Sequence, residues 1–223
     1  QLAEVHLARS FIAWSHFGNW QTEEALREAL LAKELGVSIP NIMLASLYFH
    51  IGLEEQGAKE FEQALEQDPG SDILKLNYPG QLKNAARPDD WLALSQRLVG
   101  GGPNSPYYLL KMMPAEAAPL VEEEYAKNPD AHEPRRNKAL LLALQGKHKD
   151  AQAAVPGIME TVKDGKNHHH ATYDVARIYA QGRKSDKALK WLRLTAQDGF
   201  PCYTLFARDP YLDPIRNDAE FVK

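Results

Sequence analysis

The stretch that decides the fold runs from Ala45 to Pro69 and reads ASLYFHIGLEEQGAKEFEQALEQDP. A small residue, a large residue, a turn glycine and another small residue follow one another at helical spacing, which predicts two closely packed helices. Similar gaps recur from Ala139 to Ile158 and from Ala176 to Thr195. Recurrence at roughly 34 residues predicts a helical solenoid. The residues that carry the pattern in the first stretch are Ala45, Tyr48, Gly52, Gly57, Phe61, Ala64 and Pro69.

The composition excludes several classes of protein. The 223 residues are 44% hydrophobic, which suffices for a packed core. The longest apolar run, Ala139–Leu144, is far shorter than the ~20 residues that span a bilayer, so we expect no membrane insertion within this chain. A net charge of −4 argues against a nucleic-acid surface. The single cysteine, Cys202, excludes an internal disulfide.

The chain divides into a repeat domain over 1–199, with irregular repeats over 71–130, and a capping segment over 200–223. We expect Thr22 to cap the second helix, Pro79 to break a helix, and Pro156 to kink a helix or end it early. Pro40 suits the first turn of another helix. Because the chain starts at Gln1 and not at Met, we expect it to be a fragment of a longer protein.

The residues of the first stretch resemble the tetratricopeptide repeat, with Gly57 in place of the alanine of that pattern. The two C-terminal units match the pattern in part, the first unit loosely, and the two middle units mostly by period. The resemblance implies an all-α, right-handed superhelical solenoid of about six helix-turn-helix units. Repeats of this family bind other proteins far more often than they catalyse reactions, and the fold alone does not name the partner.

The tail from Trp191 to Phe221 reads WLRLTAQDGFPCYTLFARDPYLDPIRNDAEF. It resembles the end of tetratricopeptide regions in bacterial multidomain signalling proteins, where the repeats accompany a protein kinase, a winged-helix transcription regulator or a cyclase. That resemblance implies an accessory or sensor region, and a cytoplasmic or periplasmic location if the protein is bacterial. The compartment otherwise stays open.

The same tail has a physical interpretation of its own. The last helix pair of a solenoid exposes an apolar face that needs a cap. Asp209 and Asp213 each precede a proline, as a helix N-cap does. The apolar residues that we expect to form the cap are Phe200, Tyr203, Phe206, Tyr211, Leu212, Ile215 and Phe221.

His168, His169 and His170 are the first candidates for metal ligands. Consecutive helix residues point about 100° apart, so three in a row do not converge easily on one tetrahedral ion. No cysteine or carboxylate at ligand spacing accompanies them. We therefore expect a solvated helix start, with no metal and no cofactor.

Other candidates for catalysis are equally weak. Cys202 lies in the aromatic tail, where a buried thiol is more ordinary than a nucleophile. Gly100–Gly102 lacks the lysine of a phosphate-binding loop, and Glu122–Glu124 is expected to be a solvated face. We expect the chain not to be an enzyme. A calcium loop is excluded because the prolines and the missing glycine do not fit it around Asp209, Asp213 and Asp218.

The resemblance implies that the first helix of each unit lines a concave groove that binds a partner. We expect this partner to be a protein or an extended peptide, and the arginines favour an acidic one. Trp14 and Phe17 could instead pack against the neighbouring helix, and the chain could instead form a homodimer. The implied contact residues are Trp14, Phe17, Ile42, Ser46, Phe49, His50, Arg136, Leu140, Tyr173, Arg177 and Gln181.

Overall fold

A computed structural model of the chain describes residues 2–15, 17, 19–36, 42–163, 165 and 168–222. These residues form α-helices and one 3-10 segment and contain no β-strand, so the all-α prediction is confirmed. Pro40, which we expected in the first turn of a helix, lies outside the described residues. In chain order the elements are α1 (Ala3–Ala13), α2 (Thr22–Glu34), α3 (Ile42–His50), α4 (Glu54–Gln67), α5 (Asp72–Asn84), α6 (Pro88–Val99), α7 (Ser105–Leu110), α8 (Pro114–Lys127), α9 (His132–Leu144), α10 (His148–Ala153), α11 (Val155–Glu160), α12 (His168–Gln181), α13 (Ser185–Gln197), α14 (Tyr203–Arg208), the 3-10 segment (Pro210–Ile215) and α15 (Ala219–Val222).

Consecutive helices pack as pairs. The pairs are α1 with α2, α3 with α4, α5 with α6, α7 with α8, α9 with the broken helix α10 and α11, and α12 with α13. The first helices of neighbouring pairs also touch, since α1 contacts α3, α3 contacts α5, α7 contacts α9, and α9 contacts α12. The first helices therefore lie side by side along most of the chain.

Small residues allow the close approach within and between pairs. Ala25, Ala117, Ala151 and Ala188 are fully buried, as the repeat pattern predicts. Gly57 is the tightest position of this kind. A Cβ atom built there would lie 2.6 Å from Cδ2 of Phe49 and 2.9 Å from the carbonyl oxygen of Ala45, so α3 and α4 pack at a distance that only glycine permits.

Two expected helix boundaries are wrong. The hydroxyl of Thr22 lies inside α2 and donates a hydrogen bond to the carbonyl oxygen of Trp20 at 3.3 Å, so Thr22 does not cap that helix. Helix α5 continues through Pro79. The buried stripe of Leu74, Tyr78 and Leu82 holds both sides of the proline against the core, and this packing outweighs the cost of about 3 kcal/mol for proline inside a helix.

Pro156 acts as expected. Helix α10 ends at Ala153, and α11 begins at Val155 with the proline in its first turn. Proline fits the first turn because its missing N–H would have no helical partner there. The second helix of this pair is therefore two short helices.

The tail packs on the last helix pair and also returns to earlier ones. Phe200, Leu205, Leu212 and Ile215 are buried in one cluster with residues of α12 and α13. The carboxylate of Asp209 accepts a hydrogen bond from the backbone N–H of Tyr211 at 2.9 Å, so the N-cap predicted there is confirmed. Of the residues expected to form the cap, Tyr203 is exposed, and Phe206 and Phe221 are partly buried. The other predicted helix N-cap, Asp213, lies inside the 3-10 segment and starts no helix.

Long-range contacts join the tail to the first half of the chain. Trp14 Nε1 donates to the carbonyl oxygen of Gly199 at 3.3 Å, and the Arg208 guanidinium lies 2.6 Å from a carboxylate oxygen of Glu54. The Tyr211 hydroxyl donates to the carbonyl oxygen of Leu109 at 3.0 Å. The sequence does not predict this return.

In the described part of the chain, none of the helices has the length and hydrophobicity that a membrane span requires.

Candidate binding groove

The largest cavity is a groove of about 1000 Å³ between the first helices of the pairs. Its walls come from the end of α1 and the segment after it, and from α3, α5, α9 and α12. This arrangement follows from the side-by-side packing of those helices. Residues more than 150 positions apart in the chain, Trp14 and His170, line the same groove.

Helix α5 presents a stripe of amides to the groove. Asn77, Gln81 and Asn84 are spaced four and three residues apart, so they share one helix face. The side-chain amide of Gln81 donates to the hydroxyl of Ser46 at 3.2 Å, while its buried Oε1 has no hydrogen-bond partner in the described residues. Amide groups of this kind can hydrogen-bond the backbone of an extended peptide.

Two apolar side chains stand exposed at the groove. Phe17 is 92% exposed and Leu76 is 70% exposed. Exposed apolar side chains beside polar ones are typical of an interaction site. Together with the amide stripe, they give the groove both apolar and hydrogen-bonding groups.

The charged groups of the groove are mostly paired. Lys83 lies 3.2 Å and Arg136 lies 3.4 Å from the carboxylate of Glu133, and these cations lower the pKa of that carboxyl, the Lys83 contribution being the largest. Arg136 also lies 3.5 Å from Asp174. Burial lowers the pKa of His132, the next groove residue on α9. Lys83 and Arg136 are thus the cations of the groove lining, and Glu133 and Asp174 are the acids that they contact.

An aromatic cluster closes one end of the groove. The ring centre of His50 lies 4.6 Å from that of Trp14 and 4.8 Å from that of Phe200. The ring centre of His169 lies 4.9 Å from that of Trp20 and 5.3 Å from that of His50. Burial lowers the pKa of His50 to about 4, and burial together with the charge of His50 lowers the pKa of His169 to about 3. Both imidazoles are therefore neutral at pH 7.

A buried ionic network joins α12 to the tail beside the groove. The carboxylate of Asp209 accepts hydrogen bonds from the Tyr173 hydroxyl at 2.6 Å and from Nε of Arg177 at 2.7 Å. Arg177 also donates to Asp174 at 2.9 Å. Burial by itself would lower the pKa of Arg177, but Asp209, Tyr173 and Asp174 together raise it well above its ordinary value.

Five of the residues implied by the resemblance line the groove: Trp14, Phe17, Ser46, His50 and Arg136. Phe17 is exposed. Trp14 is partly buried against Trp20 and His50, so it packs inside the protein, as the alternative interpretation of this residue expected. That these residues contact a partner stays a prediction.

The other implied residues serve the interior. Phe49 and Leu140 are buried in hydrophobic core clusters, so the expectation that they face a partner is corrected. Ile42 is half-buried and packs against one of these clusters. Tyr173 and Arg177 are buried against Asp209, and the Gln181 amide donates to the carbonyl oxygen of Tyr211 at 2.8 Å. The tail covers this end of the first-helix face, and the repeat pattern contains no signal for that.

The sequence interpretation missed the amide stripe and the two histidines at the aromatic end. Asn77, Gln81 and Asn84 do have helical spacing, but they lie in the unit that we expected to be irregular because of Pro79. The expected solvated helix start at His168–His170 is wrong for His169, which is buried, because His169 and His170 approach His50 in a tertiary contact.

Cys202 behaves as the sequence suggests. Its thiol is fully buried, lies 3.5 Å from the carbonyl oxygen of Phe49, and has its pKa raised by burial. A raised pKa disfavours the thiolate that a nucleophile needs.

No protein-family model matches the chain, and no curated protein is detectably similar to it in sequence.

Proposed function

We propose that this chain is a non-catalytic binding module with tetratricopeptide-like repeats, and that its groove receives an extended, acidic peptide segment of another protein. The observation that carries the proposal is the groove of about 1000 Å³ lined by the first helices of the pairs. A right-handed superhelix of about six hairpins would place those helices on its concave side. The six consecutive helix pairs support that geometry.

The chemistry of the lining favours an extended peptide. The amides of Asn77, Gln81 and Asn84 suit a peptide backbone, and the exposed side chains of Phe17 and Leu76 suit apolar peptide side chains. The cations Lys83 and Arg136 line the groove, and both suit acidic residues of the segment.

The tail supplies an internal precedent for this mode of recognition. On the first-helix face of α12, Arg177 binds the carboxylate of Asp209 and Gln181 binds the backbone of Tyr211. One side chain thus recognises an acid at the start of the 3-10 segment, and the other recognises a backbone carbonyl inside it. We propose that the open part of the groove binds an external segment by the same two kinds of contact.

A phage-displayed library of random linear peptides tests this proposal. We expect selection on the wild-type chain to enrich peptides that combine acidic and apolar residues. Leu76→Asp should weaken the enriched peptides at least tenfold, because it places a carboxylate in the groove. Ile73→Asp is the matched control, since Ile73 is on the same helix and 60% exposed but does not line the groove. Absence of enrichment, or equal binding to the wild type and Leu76→Asp, would contradict the proposal.

A second candidate function is self-association through α1. Val5, Phe11 and Ile12 are exposed on this helix, and Leu2 is exposed at its N-cap. Sedimentation equilibrium should then show a dimer that Ile12→Glu dissociates. Monomers at every concentration would exclude this role. An accessory role beside a bacterial kinase, cyclase or transcription regulator rests on the tail motif alone and stays a prediction.

A further inference from the structure

Three imidazoles from two distant helices converge at the aromatic end of the groove. His50 is the last residue of α3, and His169 and His170 lie in the first turn of α12. Their ring centres are 5.3, 5.3 and 4.4 Å apart. One nitrogen from each ring lies within 4.8 Å of the other two. His168 is not part of this group, because it pairs with Asp198 at 2.7 Å.

Two of the three rings direct an unused lone pair into the protein. Nδ1 of His50 lies 2.8 Å from the carbonyl oxygen of Ser46. Because a carbonyl only accepts, Nδ1 carries the proton and Nε2 is left with a bare lone pair. Nε2 is buried, and no atom of the described residues hydrogen-bonds to it.

His169 repeats this arrangement with the other ring nitrogen. Its ring hydrogen-bonds the backbone of Asp198, and its buried Nδ1 has no hydrogen-bond partner within the part of the chain that the structure describes. His170 is held only loosely, since its Nε2 lies 3.5 Å from the amide nitrogen of Asn84. Buried polar atoms without partners are rare and destabilising, so two in one cluster require an explanation.

We propose that His50, His169 and His170 form a binding site for a divalent transition-metal ion, with Zn²⁺ as the fitting example. Neutral imidazole nitrogens are among the preferred ligands of zinc, and three protein ligands leave a fourth position open. Coordination would use both bare lone pairs. This site does not depend on the proposed peptide binding.

The surroundings suit such a site. A metal-binding histidine usually donates its other N–H to a carbonyl or carboxylate, which fixes the ring, and Ser46 and Asp198 supply backbone partners of this kind. The rings of Trp14, Trp20 and Phe200 surround the cluster with apolar surface.

The site has to contract when it binds zinc. With Zn–N bonds of about 2.0–2.1 Å, the nitrogens of a tetrahedral site lie about 3.4 Å apart. The nitrogens here lie up to 4.8 Å apart, so small rotations of the rings must close the remaining distance. His170 is partly exposed and weakly held, which makes its ring the easiest to move.

Isothermal titration of the tag-free, chelator-treated chain with ZnCl₂ tests the proposal, with the visible spectrum of the Co²⁺ complex as a second readout. We expect one ion per chain and a tetrahedral cobalt spectrum. His50→Phe should weaken zinc binding at least tenfold, because it removes a ligand more than a hundred residues away from the histidine run. His170→Gln, at the partly exposed position, provides a second variant if His50→Phe does not fold.

Two control variants separate this site from adventitious chelation by surface histidines. His168→Gln changes the first residue of the histidine run, which is not a proposed ligand. His132→Gln changes another groove histidine, whose Nδ1 lies 2.6 Å from the Thr161 hydroxyl. Both should bind zinc within twofold of the wild type. Equal binding by the wild type, His50→Phe and His170→Gln, or no saturable binding by the wild type, would overturn the proposal.

Discussion

Nε of Arg177, in the last helix pair, lies 2.7 Å from the carboxylate of Asp209 in the tail, and both side chains are buried. The arginine that the repeat pattern assigns to partner binding is therefore occupied by the protein's own chain. This pair and the Tyr173 hydroxyl fasten the tail to α12, and the tail in turn reaches Glu54 and Leu109 in earlier pairs.

Asp209→Asn should destabilise the chain strongly. Removing one partner of a buried ion pair costs about 3–5 kcal/mol when the other charge is left uncompensated. Arg177 keeps Asp174 at 2.9 Å, so we expect the lower end of this range, about 3 kcal/mol. Urea unfolding followed by circular dichroism measures the loss. Asp213→Asn is the matched control, since it is also an aspartate before a proline but is exposed and pairs with Arg216 at the surface. The control should cost less than about 1 kcal/mol, and equal losses in both variants would contradict the role of Asp209.

Gly57→Ala should lower the free energy of unfolding although alanine is the better helix former. The added methyl would lie 2.6 Å from the Phe49 ring and 2.9 Å from the carbonyl oxygen of Ala45. Overpacking of this kind costs about 1–3 kcal/mol, which exceeds the gain of about 1 kcal/mol in helix propensity. Thermal and urea unfolding measure the sum.

Gly80→Ala should have the opposite effect and serves as the comparison for Gly57. Gly80 is inside α5, and no described atom lies within 4 Å of a Cβ built there. The propensity gain of about 1 kcal/mol should then appear as added stability. A loss in Gly80→Ala, or a gain in Gly57→Ala, would show that this account of helix packing is wrong.

Cys202 should react with a thiol reagent only when the tail opens. Its thiol is fully buried, and burial raises its pKa, so both access and thiolate formation are suppressed. Labelling with DTNB should be slow in buffer and fast in denaturing urea. The variant Cys202→Ala/Tyr203→Cys moves the thiol to an exposed neighbour and should label at once. Rapid labelling of the wild type without denaturant would contradict the packing of the tail.

Tyr78 should make the chain lose stability in alkali. Burial, with the nearby charge of Glu62 as the next cause, raises the pKa of Tyr78 to about 12 from 10.0. The unfolded chain releases this proton at a lower pH than the folded chain does. The stabilisation that the protonated hydroxyl provides is therefore complete below pH 10 and is lost as the pH rises through 12. Between pH 9 and 11 the loss should be about 1 kcal/mol.

The variant Tyr78→Phe isolates this contribution. The ring keeps its packing on Phe61, with ring centres 4.9 Å apart, but has no proton to release. The urea midpoint of the variant should therefore fall less than that of the wild type between pH 9 and 11. Parallel falls would assign the alkaline loss to other groups.

Much of the helical organisation could be predicted because it depends on local patterns. Alternation of small and large residues at helical spacing locates the helix pairs, and Pro156 ends a helix where expected. The same reasoning was wrong at Pro79, where buried contacts on both sides of the proline hold α5 together. Local rules fail where tertiary packing contributes more free energy than the local preference does.

The candidate site was predicted less well than the helices. Trp14, Ser46, His50 and Arg136, which the resemblance assigns to the groove, line the cavity between the first helices, and their contact with a partner stays a prediction. It could not exclude Tyr173 and Arg177, since their burial depends on where the tail lies.

By itself, the sequence determined the helical class, the pairing of neighbouring helices and the positions where small residues allow close approach. These features follow from side-chain periodicity and from contacts between segments that are close along the chain. Only the tertiary structure decided that the tail covers Arg177 on α12 and that His50 contacts His169 and His170. Both contacts join segments that are far apart in the chain, and such contacts depend on the packing of the whole molecule.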